Sequence, residues 1–155
     1  MGAGKSAVGR ELARRTGLPR YDTDGMIRHR FGLSIPEIFA RRGETAFRDA
    51  ETEMLRRLHE TAIIVTGGGI VLRRENVQLI RTFGRTVLLD ADEATLWRRA
   101  SMRSTRPLLQ TADPRKRFGA LLRERTPLYQ AAADRRIDTS HMSIDQIADE
   151  ILSLI

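Results

Sequence analysis

Short, continuous apolar runs alternate with amphipathic stretches along this chain, and that alternation restricts it to an α/β domain built on a parallel sheet. Residues 62–66 (AIIVT) and 86–89 (TVLL) have strand length and no polar face, so each belongs inside a sheet covered on both sides. Shorter strands are expected at 20–22 and 136–138. Between them the apolar spacing predicts helices at 6–16, closed by Gly17, and at 26–31, closed by Gly32. Ser34 with Glu37 three residues later is a capping box that opens the next helix, which stops at Gly43; a longer one runs from Glu44 to about His59. Further helices are expected at 74–83, after the cap Asp92, in a long stretch containing Pro127, and at the C-terminus with Ile144, Ile147, Ile151 and Ile155 on one face. Residues 102–113 are polar and basic, bracketed by Pro107 and Pro114, and their length is that of a functional lid.

A chain of 155 residues with 41% hydrophobic content is one domain with enough apolar residue for a core. No run approaches the ~18 apolar residues of a membrane span and no signal peptide opens the chain, so a cytoplasmic protein is expected. It contains no cysteine, and its three histidines, His29, His59 and His141, are scattered, which argues against disulfides, thiolate chemistry and a histidine metal site. The positive charge behind the net +7 is spread over every predicted helix but the C-terminal one and interleaved with acids, without a basic block or stacking aromatics. That is a solvated surface favouring anionic small ligands rather than nucleic acid. Because only two of the 27 basic residues, Lys5 and Lys116, are lysine, a lysine is an informative choice here.

The chain opens MGAGKS, the second half of a G-x-x-x-x-G-K-[ST] phosphate loop. Small residues let backbone N–H groups curl around phosphates, Lys5 reaches the terminal phosphates, the Ser6 hydroxyl suits Mg²⁺, and the following helix aims its positive end at the anion. Asp22-Thr23-Asp24 closes the second predicted element at the carboxyl edge of the sheet, where open α/β folds bind ligands. One carboxylate suits a magnesium shell and the other could accept a proton from a hydroxyl nucleophile; alternatively Asp24 simply caps the next helix. Gly67, Gly68 and Gly69 directly after a buried strand permit close approach of backbone to a ligand. Arg48, Arg106 and Arg125 are indistinguishable from the other arginines by local chemistry, although Arg106 lies in the suspected lid, where a guanidinium could reach a transferring phosphate.

Taken in order, MGAGKS, DTD, AFRDAE, TGGG, RPLL and ERTPLY resemble the shikimate kinase family over essentially the whole chain. The resemblance implies a three-layer α/β P-loop kinase with helices on both faces of a five-stranded parallel sheet. It further implies a substrate-binding helical segment near residues 24–60 and a lid near 102–114. It implies transfer of the γ-phosphoryl of ATP to the 3-hydroxyl of shikimate, toward chorismate and the aromatic amino acids, by a monomer that uses Mg²⁺. Gly2, Ala3, Gly4, Lys5, Ser6 and Ala7 would hold ATP, with Ser6 and Asp22 on the metal and Arg99 near the adenine. Asp24 would orient or deprotonate the acceptor; Arg48 and Arg125, with Gly67, Gly68 and Gly69, would grip its carboxylate; Arg106 would close over the phosphates. The family's first, central strand is absent from the chain as it stands, so strand edges and apolar helix faces should be exposed and a start upstream of Met1 is expected. Segment 139–141, where the adenine loop would fall, matches only loosely. A gluconate-type sugar kinase and a ligand-sensing domain without turnover remain as alternatives.

Overall fold

A computed structural model describes residues 2–102 and 111–154 of the chain. The elements run α1 (Lys5–Thr16), β1 (Arg20–Asp22), α2 (Thr23–Phe31), α3 (Ile35–Arg56), β2 (Ile63–Val65), a 3₁₀ turn (Ile70–Leu72) and α4 (Arg74–Phe83). They continue β3 (Val87–Asp90), α5 (Glu93–Ser101), α6 (Pro114–Ala132), β4 (Arg135–Asp138) and α7 (Ile144–Leu152).

The strands pair in parallel, as helical crossovers require, but they form two sheets instead of one. β1 pairs with β2, Tyr21 opposite Ile64, and β3 pairs with β4, Leu89 opposite Ile137. β2 and β3 are not hydrogen-bonded to each other; they flank a cavity of about 480 Å³ whose lining includes Val8, Leu12, Ile63, Val65, Val87 and Leu89. The facing edges of β2 and β3 are thus unpaired among the described residues, in keeping with the exposed strand edges expected from the sequence.

Period-2 alternation distributes the strand side chains between two helical layers. Ile63, Val87, Leu89 and Ile137 join Val8 and Leu12 of α1, Leu96 of α5, Phe118 of α6 and Ile147 and Ile151 of α7. Tyr21 and Ile64 point the other way, into a cluster with Leu55 of α3, Leu58 just after it, Ile70, Val71 and residues of α4. Close layering is possible because Gly9 of α1 carries no side chain where a Cβ would collide with Val65. At the outer end, Arg15 of α1 bonds Asp145 and Asp149 of α7 at 2.8 and 2.5 Å.

A third cluster, Ile27, Ile38, Phe47, Ala50 and Met54, joins α2 to α3. The capping box at Ser34 and Glu37 is present, and Gly43 (φ 81°, ψ 167°) breaks the helix as the sequence implied, although the two halves continue as one kinked element. The kink aims the second half, with Arg48 and Glu51, at the end of β2. That backbone conformation is open essentially to glycine alone. Gly43→Ala is therefore expected to destabilise the protein by about 1–3 kcal/mol in denaturant unfolding; an unchanged midpoint would mean that the kink is relaxed.

Candidate functional site

Gly4 (φ 83°) caps α1 with backbone only, its carbonyl accepting from the Ala7 and Val8 amides at 3.0 and 3.1 Å. The first turn of α1 has no side-chain cap and no acidic residue. Its leading N–H groups thus stand at the positive end of the helix, the arrangement that holds phosphate, and Lys5 opens that turn. Gly2 (φ 75°) lies so close to α5 that a Cβ would collide with the Leu96 carbonyl, and Ala3 is buried in the main core. The short residues Gly2 and Ala3 are therefore required by the packing of the protein itself.

Ser6 Oγ donates to Asp22 Oδ2 at 3.4 Å, which brings the hydroxyl of α1 to the carboxylate ending β1. Asp22 also caps α2, accepting from the Gly25 amide at 3.2 Å. The cap is thus Asp22 and not Asp24: the strand turns into helix at once, placing Asp24 in the first turn of α2. Asp24 instead presses its carboxylate on Gly67, where a Cβ would collide with Oδ1. Burial, reinforced by the Asp22 charge, pushes the Asp24 carboxyl above the ordinary aspartate range, against the pull of Lys5, Arg28 and Arg48.

Arg48 is buried against the same turn, and a Cβ on Gly69 would collide with its guanidinium. It donates to Glu51 Oε2 at 2.6 Å and to Glu44 Oε1 at 2.9 Å, with its guanidinium 5.3 Å from the Phe47 ring centre. Glu51 is fully buried, and burial raises its carboxyl pKa while Arg48 opposes the rise; the charges of Asp24 and Arg125 also reach it. Arg125, on α6, is 4% exposed. Two of the buried side-chain atoms here, Arg125 Nε and Glu51 Oε1, have no hydrogen-bond partner. A buried donor and a buried acceptor left open on two charged residues that sense each other's field are polar atoms that a ligand or water would satisfy.

Lys5, Asp22, Asp24, Arg48, Gly67, Gly69 and Arg125 are therefore gathered at one end of the strands. Arg99 stands apart, donating to Thr139 Oγ1 and the Thr139 carbonyl at 3.0 and 2.9 Å, which ties α5 to the segment after β4. Arg106 lies outside the described residues, as does most of the suspected lid. Glu51 was not singled out from the sequence, although its i, i+3 spacing from Arg48 on one helix was the available signal. Thr23, which accepts from the Gly67 amide at 3.1 Å, and Tyr129, whose hydroxyl donates to the Gly68 carbonyl at 2.6 Å, were also missed. Among the described residues no group of three acidic, histidine or cysteine side chains is placed to hold a metal unaided.

The family model for shikimate kinase matches residues 1–155. A shikimate kinase of Ruegeria pomeroyi is 45% identical over 157 residues, covering 100% of this chain and 80% of its own length. One from Cupriavidus pinatubonensis is 44% identical over 98% of this chain and 80% of its own. Among solved structures, shikimate kinase from Acinetobacter baumannii in complex with shikimate superposes with a TM-score of 0.94 at 35% identity, covering 99% of this chain and 87% of that one. The Aquifex aeolicus enzyme gives 0.82 at 33% identity, covering 99% and 90%.

The raised Asp24 pKa means that the native state prefers the protonated acid, so the corresponding stability is present at low pH and is lost as pH rises through the native-state value. Asn mimics the neutral acid. Asp24→Asn is therefore expected to gain stability relative to the parent on going from pH ~3 to pH ~7, either side of the ordinary aspartate value. Urea unfolding at the two pH values measures this, and a pH-independent difference would contradict it.

Proposed function

The chain belongs to the shikimate kinase family, and from that premise we propose that it transfers the γ-phosphoryl of ATP to the 3-hydroxyl of shikimate, giving ADP and shikimate 3-phosphate. The observation that carries the reading is the convergence of buried Arg48 and Arg125 with Asp24 beside a phosphate-type helix start. Two buried guanidiniums suit a carboxylate, which an uncharged sugar acceptor would lack; gluconate also carries one, and between the two acids it is the family match over the whole chain that favours shikimate. The reaction's place is the route to chorismate and the aromatic amino acids.

Phosphoryl transfer requires positioning and charge more than covalent chemistry. In this reading Gly2, Ala3, Gly4, Lys5, Ser6 and Ala7 hold the ATP phosphates. The oxygens of Ser6 and Asp22, 3.4 Å apart, fit a hard divalent ion such as Mg²⁺, which takes one or two protein ligands and completes its shell with phosphate oxygens and water. When bound, that ion neutralises developing phosphate charge. Asp24, its proton affinity raised by burial, accepts the proton of the attacking hydroxyl. Arg48 and Arg125 hold the acceptor's carboxylate with the backbone of Gly67, Gly68 and Gly69. Arg106 closes over the phosphates from a lid near 102–114, residues near 24–60 form the acceptor-binding segment, and Arg99 with the residues after β4 borders the adenine.

The protein acts on two small molecules, as a cytoplasmic monomer without nucleic acid; no described helix is long and apolar enough to cross a membrane. Arg-rich charge spread over α1 to α6 supports solubility rather than a nucleic-acid groove.

Coupled ADP release with ATP and Mg²⁺ should depend on shikimate and stop on chelation; tight shikimate binding without ADP would favour a sensor instead. Asp24→Asn and Arg106→Ala are expected to lower kcat by about 10²–10⁴-fold while the fold is retained, and near-parental rates would remove the assigned role. Arg125→Ala should raise the KM for shikimate roughly 10- to 100-fold, the size of a lost charged hydrogen bond, with the KM for ATP as the control that should not move.

A further inference from the structure

The turn after β2 has one feature that the catalytic reading leaves unused. The amides of Gly68 and Gly69 donate to no protein acceptor among the described residues, whereas the turn's other polar groups are held. The Gly67 amide is on Thr23, the Gly67 and Gly69 carbonyls accept from the Ile70 and Leu72 amides at 3.3 and 3.1 Å, and the Ile70 carbonyl accepts from Asn76 Nδ2 at 3.1 Å. The Gly68 carbonyl accepts from the Tyr129 hydroxyl at 2.6 Å. A trans peptide is planar, so its C=O and the next N–H point in opposite directions. Tyr129 drawing the Gly68 carbonyl to one side therefore aims the Gly69 amide to the other. Glycine at both flanking positions leaves that peptide free to rotate unless something holds it. Gly69 packs directly on the Arg48 guanidinium.

We infer that Tyr129 is a positioning residue for the acceptor's carboxylate: its hydroxyl locks the Gly68–Gly69 peptide so that the Gly69 amide is presented to the carboxylate alongside Arg48. Tyr129 lies one helical turn beyond Arg125 on the same face of α6. The same hydrogen bond thus also fixes the height of Arg125 relative to the turn, so that α6 and the turn grip one anion as a unit. The inference rests on the shikimate reading and adds to it a residue that touches neither substrate.

The test is Tyr129→Phe, which keeps the ring and removes the hydroxyl, with kcat and the KM of each substrate compared with the parent. The expected result is a KM for shikimate raised about 3- to 10-fold, the size of one hydrogen bond. The KM for ATP, kcat and the melting temperature should stay close to parental values. The second arm uses shikimate methyl ester as a competitive ligand, because it lacks the carboxylate charge. Its inhibition constant should be nearly the same for parent and variant. An unchanged KM for shikimate, an equal rise for ATP, an equal loss with the ester, or a variant that no longer folds would each overturn the positioning role. A parent without shikimate-dependent ADP release would overturn the reading beneath it, and is distinguished from those outcomes because it appears without any substitution.

Discussion

Asp24, Glu51 and Arg48 occupy the space where side chains of residues 67 and 69 would stand, and the proposed acceptor pocket depends on the absence of those side chains. A Cβ at 67 would collide with the Asp24 carboxylate and crowd Glu51 Oε1 at 3.1 Å; one at 69 would displace the Arg48 guanidinium. Neither glycine has a positive φ, so the requirement is for space rather than for an unusual backbone conformation. The start of α2, the second half of α3 and the face of α6 carrying Arg125 and Tyr129 can approach one another because this turn is bare.

Close approach of that kind buries charge, and the electrostatics decide what the charges can do. Arg48 and Glu51 are desolvated together, and removal of either partner from such a pair usually costs about 3–5 kcal/mol because the other is stranded. Buried pairs of this kind usually add little net stability over an apolar replacement; this one holds the Arg48 guanidinium against the Gly69 turn. Glu51 uses one oxygen for Arg48 and leaves the other open, and Arg125 leaves Nε open. Asp24 sits between Asp22 and the cations, with burial the largest influence on it. The site is thus cationic where a carboxylate would bind and protonatable where a hydroxyl would lose its proton.

The secondary structure was largely legible. Four short strands and the helices between them are where the apolar runs, the capping box and the terminal glycines put them, because those signals are local. The 3₁₀ turn at Ile70–Leu72 was not legible, since its bonds are set by the glycine turn before it and by Asn76 behind it. Nor was the capping role of Asp22: whether it or Asp24 caps α2 depends on where the strand bends, which β2 and Thr23 decide jointly. Arg48 and Arg125 became distinguishable from other arginines through the family resemblance and then through burial. Nothing in their immediate neighbours separates them from the solvated arginines of the helices.

The sequence by itself determined the α/β class, the element order and the residue types of the site, because periodicity, caps and glycine runs are written in neighbouring positions. Only the tertiary structure decided which charges share a pocket, which carboxylate is desolvated, that Tyr129 and Thr23 pin the glycine turn, and that the strands part into two pairs around a cavity. Those outcomes depend on contacts between residues distant in the chain, such as 23 with 67 and 129 with 68, and on the burial that follows from them. A local pattern carries no information about either.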